Sequence, residues 1–345
     1  MRSLLFGSLF ALAACTGAAT PAADKRAGAP IWSYASSHSD LRAQSCPNGT
    51  AFAKADALDL QIIEAELGSE DARSRNLSGM TLAGAWQLRS ENSEFGGLSG
   101  LSVLPSGSLL AVTDDGKFAW IGIDPDSTYP DGTGAIAYMR DRDGKIFPSK
   151  RAADAEDLTV RDGLAFVSFE QDHRIYAYDL STCGTAAHAA LVTSLDKVVG
   201  NKVLQNNRGA EAVAFAGDAL RVGFEARESV GSPIGTVRTD GTLAEFANTQ
   251  QPALYLLTGM DSTSEISAYV FRAYDPVRGS RAIIKVERDG QPIASARLQS
   301  PLPVDNFEGI AIGTSPAGAR RLWVLSDNNF NTGQRTLLLA LDLTD

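Results

Sequence analysis

Five short phrases recur along the chain, and three of them carry an acidic residue at a matching position. Each phrase is a run of small and apolar residues, and the glutamate is its second residue. The second positions lie 57, 55, 47 and 50 residues apart, which is the regular spacing of a repeat. The phrases LSGLSV, AEDLTV, AEAVAF, LTGMDS and FEGIAI place Ser99, Glu156, Glu211, Thr258 and Glu308 at this position.

A second set of charged residues ends the next strand-like run of each unit. These residues follow the first set by 14 or 15 positions, or by 19 in the last unit, where SPAGARR is inserted. If equivalent positions meet in space, one site holds several carboxylates and a guanidinium. Crowded carboxylates raise one another's pKa unless a cation intervenes, and Ca²⁺ takes six to eight oxygen ligands. The second set consists of Asp114, Glu170, Glu225, Arg272 and Asp327.

These two sets predict a hydrolytic site with a Ca²⁺ cofactor. An arginine beside a bound cation suits a phosphate ester, because both neutralise its oxygens. The alternative role is structural: each glutamate accepts backbone N–H bonds from a neighbouring unit and holds the units together. The predicted catalytic residues are Glu156, Glu211, Glu308 and Asp327; the predicted substrate-binding residues are Arg208, Arg272 and Asn328; the predicted metal ligands are Glu156, Glu211, Glu308 and Asp114.

Short strand-like runs, broken by Asp-Gly, Ser-Gly and Pro turns, fill the chain from residue 81 onward. Units of about 50 residues with up to four such runs are typical of β-propeller blades, whose first strands line a central channel. We therefore predict an all-β propeller of five blades over residues 79–345. The last unit lacks a fourth strand, and TLAGAWQLR (81–89) would pair with it and close the ring.

The extension at residues 31–78 is harder to interpret. Leu58, Leu60 and Ile62 alternate with polar residues, which favours a strand, whereas a helix from Phe52 to Leu67 is the alternative. A sixth blade hidden in this extension is the alternative to a count of five.

The N-terminus resembles an export and anchoring signal. Arg2 precedes an apolar run that is too short to span a bilayer, and Leu-Ala-Ala before Cys15 resembles the bacterial lipobox. We predict a signal peptide over residues 1–14 and a tether, lipidated at Cys15, over residues 15–30. The protein would then be an exported lipoprotein of the cell envelope, held to the outer membrane only by its lipid and facing the periplasm.

Composition narrows the remaining classes of function. The 345 residues carry a formal charge of −10, which argues against a nucleic-acid partner.

Cys46 and Cys183 either form a disulfide in an oxidising compartment or remain two buried thiols. His173 is expected to be an exposed turn residue, so a Ser-His-Asp triad has little support. We expect a monomer that acts on a small-molecule ester or phosphoester.

Longer stretches resemble a known family. EFGGLSGLSVLPSGSLLAVTDDG, GAEAVAF, VDNFEGIAI and RLWVLSDNNFNTGQRTLLLALDL are similar to the bacterial family named for the esterase-like activity of phytase, over roughly residues 82–343. The most specific part is SDNNF followed by QRTLLL. The resemblance implies an exported β-propeller that hydrolyses phosphate or other esters. Since propellers also serve as binding modules, the alternative is a non-catalytic propeller that binds a ligand or protein partner in the envelope.

Overall fold

The computed structural model describes residues 28–344 except 50, 128, 197, 200–201, 205–208, 226–230 and 250–253. The described residues form five antiparallel sheets of four or five strands, and the innermost strand of each sheet contacts the innermost strands of its two neighbours. This arrangement is a five-bladed β-propeller, which confirms the predicted all-β fold and blade count. The predicted signal peptide, Cys15 and Arg208 lie outside the described residues.

The segment before the first blade adds strands to the edges of three blades. The strands β1, β2 and β3 each pair with the outer strand of a different blade, so residues 31–78, as far as they are described, do not form a sixth blade. The alternative of a helix over 52–67 is wrong, because strands occupy that stretch. The elements of this segment are α1 (Tyr34–Ser45), β1 (Asp56–Asp59), β2 (Gln61–Glu64), α2 (Glu70–Asn76), β3 (Leu77–Ser78) and β4 (Met80–Arg89).

The first three blades follow one another along the chain, each running from the channel outward. Blade 1 consists of β5 (Leu98–Val103), β6 (Leu109–Thr113), β7 (Lys117–Ile123) and β8 (Pro130–Tyr138), with β1 at its edge. After the short helix α3 (Lys150–Ala153), blade 2 consists of β9 (Ala155–Arg161), β10 (Leu164–Phe169), β11 (Arg174–Asp179) and β12 (Ala190–Ser194). The hairpin of β13 (Val198–Val199) and β14 (Lys202–Val203) leads to blade 3, which consists of β15 (Ala210–Ala216), β16 (Ala219–Phe224), β17 (Ser232–Val237) and β18 (Leu243–Thr249).

The last two blades both recruit strands from the segment before blade 1. Blade 4 consists of β19 (Leu256–Ser262), β20 (Ser267–Asp275), β21 (Gly279–Arg288) and β22 (Gln291–Leu298), with β3 at its edge. Blade 5 consists of β23 (Asn306–Thr314), β24 (Arg320–Asp327), β25 (Thr336–Leu343), β4 and β2. The pairing of β25 with β4 joins the two ends of the domain and confirms the predicted ring closure.

Hydrophobic cores fill the spaces between adjacent blades. Phe307 and Leu339 of blade 5 belong to one core with Ile284 of blade 4, and all three side chains are fully buried. A fully buried side chain of this size stabilises the fold by about 1.5–3 kcal/mol relative to an exposed one. A single blade cannot cover both of its faces, so these cores exist only when the ring is closed.

The helix α1 is attached to blade 2. Ser33 caps its start by accepting a hydrogen bond from the Ser36 N–H at 3.3 Å, and Arg42 pairs with Asp179 at 2.9 Å. A disulfide joins Cys46, at the end of α1, to Cys183 after β11, with their Cα atoms 5.9 Å apart. Of the two alternatives for these cysteines, the structure therefore contains the disulfide.

Candidate active site at the channel mouth

Each innermost strand carries an irregularity at the position that the repeated phrases share. There, the register between the first and second strands of the blade shifts. Such a β-bulge leaves a residue unpaired and re-aims its side chain. The residues at or beside the five shifts are Ser99, Glu156, Glu211, Thr258 and Glu308.

The second strands end at the same mouth of the channel. Asp114 follows β6, Glu170 follows β10 and Glu225 follows β16, while Asp327 is the last residue of β24. Besides burial, the charge of Glu308 raises the pKa of Asp327. In the same way, burial and then the charges of Glu156, Glu225 and Glu170 raise the pKa of Glu211, so these groups lie near one another. We call the following eight carboxylates the acidic mouth: Asp114, Asp154, Glu156, Glu170, Glu211, Glu225, Glu308 and Asp327.

Three carboxylates of the acidic mouth lie close enough together to share an ion. One oxygen from each of Asp154, Glu156 and Glu170 lies within 4.8 Å of the other two. The backbone N–H of Glu170 donates to the carbonyl oxygen of Asp154 at 2.9 Å, and the N–H of Gly209 donates to Glu170 Oε1 at 3.3 Å. The group, which we call the blade 2 cluster, thus consists entirely of oxygen donors, and hard divalent cations such as Ca²⁺ prefer such ligands.

A guanidinium lies across the mouth from the blade 2 cluster. Arg272 Nη2 lies 3.3 Å from Glu308 Oε1 and 3.8 Å from Glu225 Oε1. Its Nη1 donates to Asn306 Oδ1 at 2.7 Å, and Asn306 Nδ2 in turn donates to Glu308 Oε1 at 2.8 Å. Burial lowers the pKa of Arg272, but the charges of Glu308 and Glu225 raise it above its ordinary value, so the guanidinium remains charged.

A second cation stands between the blade 1 and blade 2 sides of the mouth. Lys150 is the first residue of α3, and its Nζ lies 2.5 Å from Asp114 Oδ2 and 3.6 Å from Asp154 Oδ1. The other oxygen of Asp114 is buried and has no hydrogen-bond partner among the residues that the structure describes. Lys150 therefore balances part of the negative charge on this side while its side chain stays largely exposed.

Burial raises the pKa values of several carboxyl groups in the mouth. Burial and then the charges of Glu308 and Glu170 raise the pKa of Glu156 well above its ordinary value. Burial is also the main cause for Glu211, whose pKa is raised well above the ordinary range, for Glu170, at about 7, and for Asp327, at about 8. At neutral pH the mouth without a cation therefore retains protons on carboxyl groups, and a bound divalent cation would displace them.

The backbone N–H groups that donate to acidic side chains between neighbouring innermost strands donate to aspartates rather than to the three glutamates. Asp157 Oδ2 accepts from the Val213 N–H of blade 3, and Asp261 Oδ2 accepts from the Ile312 N–H of blade 5, both at 2.8 Å. Among the described residues, no backbone N–H donates to the side chains of the glutamates at the bulges. The predicted structural alternative was that backbone N–H bonds to the glutamates join the blades. Such bonds are found at these aspartates instead.

The structure groups the predicted ligands differently from the sequence-based expectation. Glu156 lies in the blade 2 cluster and Glu211 lies beside Glu170. Glu308 is paired with Arg272, and Asp114 with Lys150, so neither belongs to the compact cluster around Glu156.

The predicted residues after β24 shape a loop beside the mouth. Asp327 Oδ1 accepts from the Asn329 N–H at 2.7 Å. Asn328 Oδ1 accepts from the backbone N–H groups of Gly97, at 3.2 Å, and Phe330, at 3.0 Å. The side-chain oxygen of Asn328, a residue predicted to bind substrate, thus links the blade 5 loop to blade 1.

Sequence reasoning missed three residues of the mouth. Asp154 and Asn306 stand two positions before the aligned glutamates of their blades, and this shared offset is the signal that could have identified both. No repeat relationship points to Lys150. His173 is not an exposed turn residue: it is fully buried, with a positive φ of 39°, in the hairpin that follows Glu170.

The fold and the site define a class of protein: a five-bladed propeller with a buried acidic mouth that also contains arginine. The family model "Phytase-like: Esterase-like activity of phytase" matches residues 93–227 and 280–330, together more than half of the chain. The chain therefore belongs to the phytase-like family, as the sequence resemblance predicted. Among curated proteins, none matches the sequence significantly.

Solved propeller structures are similar only distantly. The PQQ-bound aldose sugar dehydrogenase of Streptomyces coelicolor is 12% identical, with a TM-score of 0.43, over 77% of this chain and 98% of that one. The glutaminyl cyclase of Myxococcus xanthus gives 12% identity and the same TM-score over 77% and 97% of the two chains. The calcium structure of a Trichoderma reesei carbohydrate-active enzyme of family AA12 gives 11% and 0.39 over 86% and 98%. Similarity at this level carries no argument about function.

Proposed function

We propose that this protein hydrolyses a phosphate ester or another ester at the acidic mouth, with a divalent cation, Ca²⁺, held by the blade 2 cluster. The observation that carries the proposal is the asymmetry of the mouth. Carboxylate oxygens within 4.8 Å of one another lie on one side, and a charged guanidinium lies on the other. An anionic substrate group between the two would meet positive charge on both sides.

The residues present fit a hard cation. The blade 2 cluster offers oxygen atoms only, and Glu211 lies beside Glu170 at its edge. Without a cation, burial and then the charges of neighbouring carboxylates raise the pKa of Glu156, and a bound cation would relieve both effects. Asp154, Glu156 and Glu170 would hold the ion, and when bound it supplies Lewis-acid polarisation of an ester oxygen.

The residues of the chain bind and orient the substrate around that position. Arg272 is held in place by Glu308 and Asn306, so its guanidinium is oriented before a substrate arrives. It would bind the phosphoryl or carboxyl oxygens of the ester. Glu308 would act through Arg272 by fixing its orientation, as well as facing the substrate itself.

Two carboxyl groups are suited to donate a proton to the leaving group. Burial raises the pKa of Asp327 to about 8, so this group holds a proton at neutral pH, and burial raises the pKa of Glu211 well above its ordinary value. A carboxylic acid in this state can act as a general acid. It donates its proton to the leaving oxygen, so that an alcohol departs instead of an alkoxide. The second role, activation of water, falls to a carboxylate that is ionised, and Glu156 beside a cation would be such a group.

A turnover assay tests the proposal. In Ca²⁺ buffer, we expect the purified protein to hydrolyse at least one of p-nitrophenyl phosphate, p-nitrophenyl acetate and phytate. Glu156→Gln and Glu308→Gln should each lower kcat/KM about 100-fold or more, the typical contribution of such groups. Glu265→Gln is the matched control, because Glu265 is exposed and paired with Arg320 in a turn away from the mouth. Failure to turn over any of the three substrates would favour the non-catalytic binding propeller instead.

We also propose that the protein is exported and anchored through lipidated Cys15. Among the described residues, no helix is long and apolar enough to cross a membrane. The first described residues pair with the end of blade 3 that is distant from the mouth: the Thr239 N–H donates to the carbonyl oxygen of Pro30 at 3.0 Å, and β17 runs antiparallel to β16, which ends at the mouth. A tether leaving from there would direct the mouth away from the membrane. Radiolabelled palmitate incorporation in cells, lost in Cys15→Ser, would test the anchor.

A further inference from the structure

Two aromatic side chains are exposed at the rim of the acidic mouth. Phe330 is 48% exposed and Tyr138 is 41% exposed, although both rings are large and apolar. Both rings contact one buried ammonium group: Lys117 Nζ lies 4.9 Å from the centre of the Tyr138 ring and 5.9 Å from that of Phe330. We call this pair of rings the rim aromatics.

The Phe330 ring lies directly beside a carboxylate of the mouth. A Cβ built on Gly97 would stand 2.4 Å from Asp114 Oδ1 and 2.6 Å from the Phe330 ring. The carboxylate and the ring thus pack against the same side of Gly97, and Gly97 itself has a positive φ of 60°. A substrate held in the mouth would therefore have the face or edge of this ring as a neighbour.

The backbone that presents Phe330 adopts an uncommon conformation. Asn329 and Phe330 both have φ of 49°, in the left-handed region that bulky residues rarely occupy. Side chains hold the loop in this form: Asp327 accepts from the Asn329 N–H and Asn328 accepts from the Phe330 N–H. Such strain persists where the surrounding structure fixes it, and it is concentrated at binding sites.

The second ring is fixed from the opposite side. Tyr138 Oη donates to Glu94 Oε2 at 2.6 Å, and Glu94 also pairs with Lys117 Nζ at 2.9 Å. Because Lys117 is also paired with Asp115, its charge is already neutralised and it is not available to an anionic ligand. What the rim offers to a ligand is therefore ring surface rather than charge.

We propose that the rim aromatics, Tyr138 and Phe330, form a subsite that binds a ring in the organic part of the substrate. This inference rests on the proposed function and deepens it: the preferred substrates are esters of ring-bearing molecules, with the anionic group at Arg272 and the ring against Phe330. The shared chemistry is an apolar ring face. An aromatic ring presents such a face, and so does the C–H side of a saturated ring such as a sugar.

Binding of non-hydrolysable phosphonates tests the subsite independently of turnover. By calorimetry in Ca²⁺ buffer, we expect wild-type protein to bind phenylphosphonate about tenfold more tightly than methylphosphonate, the preference that ring stacking of about 1.4 kcal/mol gives. Phe330→Ala should reduce that preference to about twofold while leaving methylphosphonate affinity unchanged. Phe330→Trp should retain it. Cyclohexylphosphonate distinguishes the two kinds of ring. If it binds as tightly as phenylphosphonate, the subsite accepts a saturated ring; if it binds more weakly, the subsite prefers an aromatic ring.

Controls separate the subsite from a structural role. Phe52→Ala removes another exposed ring, 67% accessible, which lies against Gly184 far from the mouth, and should leave the preference intact. Tyr138→Leu should weaken the preference as well, which guards against a folding defect specific to Phe330→Ala. Equal affinity of wild type for the two ligands, or equal loss of both in Phe330→Ala, would overturn the inference.

The two proposals fail in different ways. If the protein hydrolyses ethyl phosphate and phenyl phosphate with equal kcat/KM, hydrolysis stands and the ring subsite is wrong. If it hydrolyses neither but prefers phenylphosphonate in a manner that depends on Phe330, the subsite stands and the hydrolase function is wrong.

Discussion

At the scale of the residue, the mouth is a set of acids whose charges the surrounding protein only partly balances. Arg272 and Lys150 pair with Glu308 and Asp114, whereas burial and then the charges of other carboxylates raise the pKa of Glu156 in the blade 2 cluster. A carboxyl group that is buried and beside other acids keeps its proton to higher pH. The protonation state of the mouth is therefore the property that a cation and the solvent pH both change.

This property predicts how stability depends on pH. Burial raises the pKa of Asp261 to about 6 and, with the charge of Glu308, that of Asp327 to about 8, whereas both are near 4 in the unfolded chain. Between these values the native state binds more protons than the unfolded state, so the free energy of unfolding falls as pH rises. In calcium-free buffer, the protein should be more stable in urea at pH 5 than at pH 8.

The matched variant for this measurement is Asp327→Asn, which removes one of the titrating groups. Its stability should depend less on pH between 5 and 8, by up to about 1.4 kcal/mol per pH unit for one proton. Stability that rises steadily over this pH range in wild type would contradict the raised pKa values.

At the scale of the element, one innermost strand performs two tasks with adjacent residues. In β9, Glu156 lies at the bulge and joins the mouth, while Asp157 points to the next blade and accepts the Val213 N–H at 2.8 Å. The strands approach closely here, since a Cβ on Gly100 would stand 2.4 Å from Asp157 Oδ1. The bulge is what permits neighbouring acids to face a site and a backbone at once.

Because Glu156 faces the mouth and Asp157 bonds to the next blade, substitutions at these two positions should have opposite effects on stability. Asp157→Ala leaves the buried N–H groups of Val213 and Leu158 without their acceptor and should lower the free energy of unfolding by about 1–3 kcal/mol. Glu156→Gln removes a repelling charge and should leave calcium-free stability unchanged or raise it. Chemical denaturation of both variants measures this, and a larger loss in Glu156→Gln than in Asp157→Ala would mean that the glutamate is the structural residue.

At the scale of the whole molecule, the ring brings together residues that are about 200 positions apart. Ser99 Oγ of blade 1 donates to Glu308 Oε2 of blade 5 at 3.5 Å, and β4 completes blade 5 from the other end of the domain. The disulfide between Cys46 and Cys183 attaches the N-terminal segment to blade 2. Closure of the ring and formation of the mouth are thus the same event.

The repeat allowed much of this architecture to be predicted. Equivalent positions in units of near-constant length must lie at equivalent places in a ring, so Glu156, Glu211 and Glu308 could be placed at one mouth from spacing alone. The pairing within the mouth could not be predicted. Which acid meets Arg272 and which meets Lys150 depends on side-chain packing and on connecting segments such as the helix α3, and these do not follow the repeat. The alternation of Leu58, Leu60 and Ile62 favoured a strand where β1 and β2 lie, but the two-residue strand β3 was missed, because short strands at a sheet edge have a weak periodic signal.

The central claim is that the blade 2 cluster holds Ca²⁺, and thermal melting with and without Ca²⁺ tests it most directly. An ion that binds only the native state stabilises it by about 2.7 kcal/mol at 100 times its dissociation constant. We predict that millimolar Ca²⁺ raises the Tm of wild-type protein by several degrees, that a chelator reverses the rise, and that Asp154→Asn with Glu170→Gln abolishes it while Glu265→Gln retains it. A wild-type Tm that is the same in Ca²⁺ and in chelator would contradict the account.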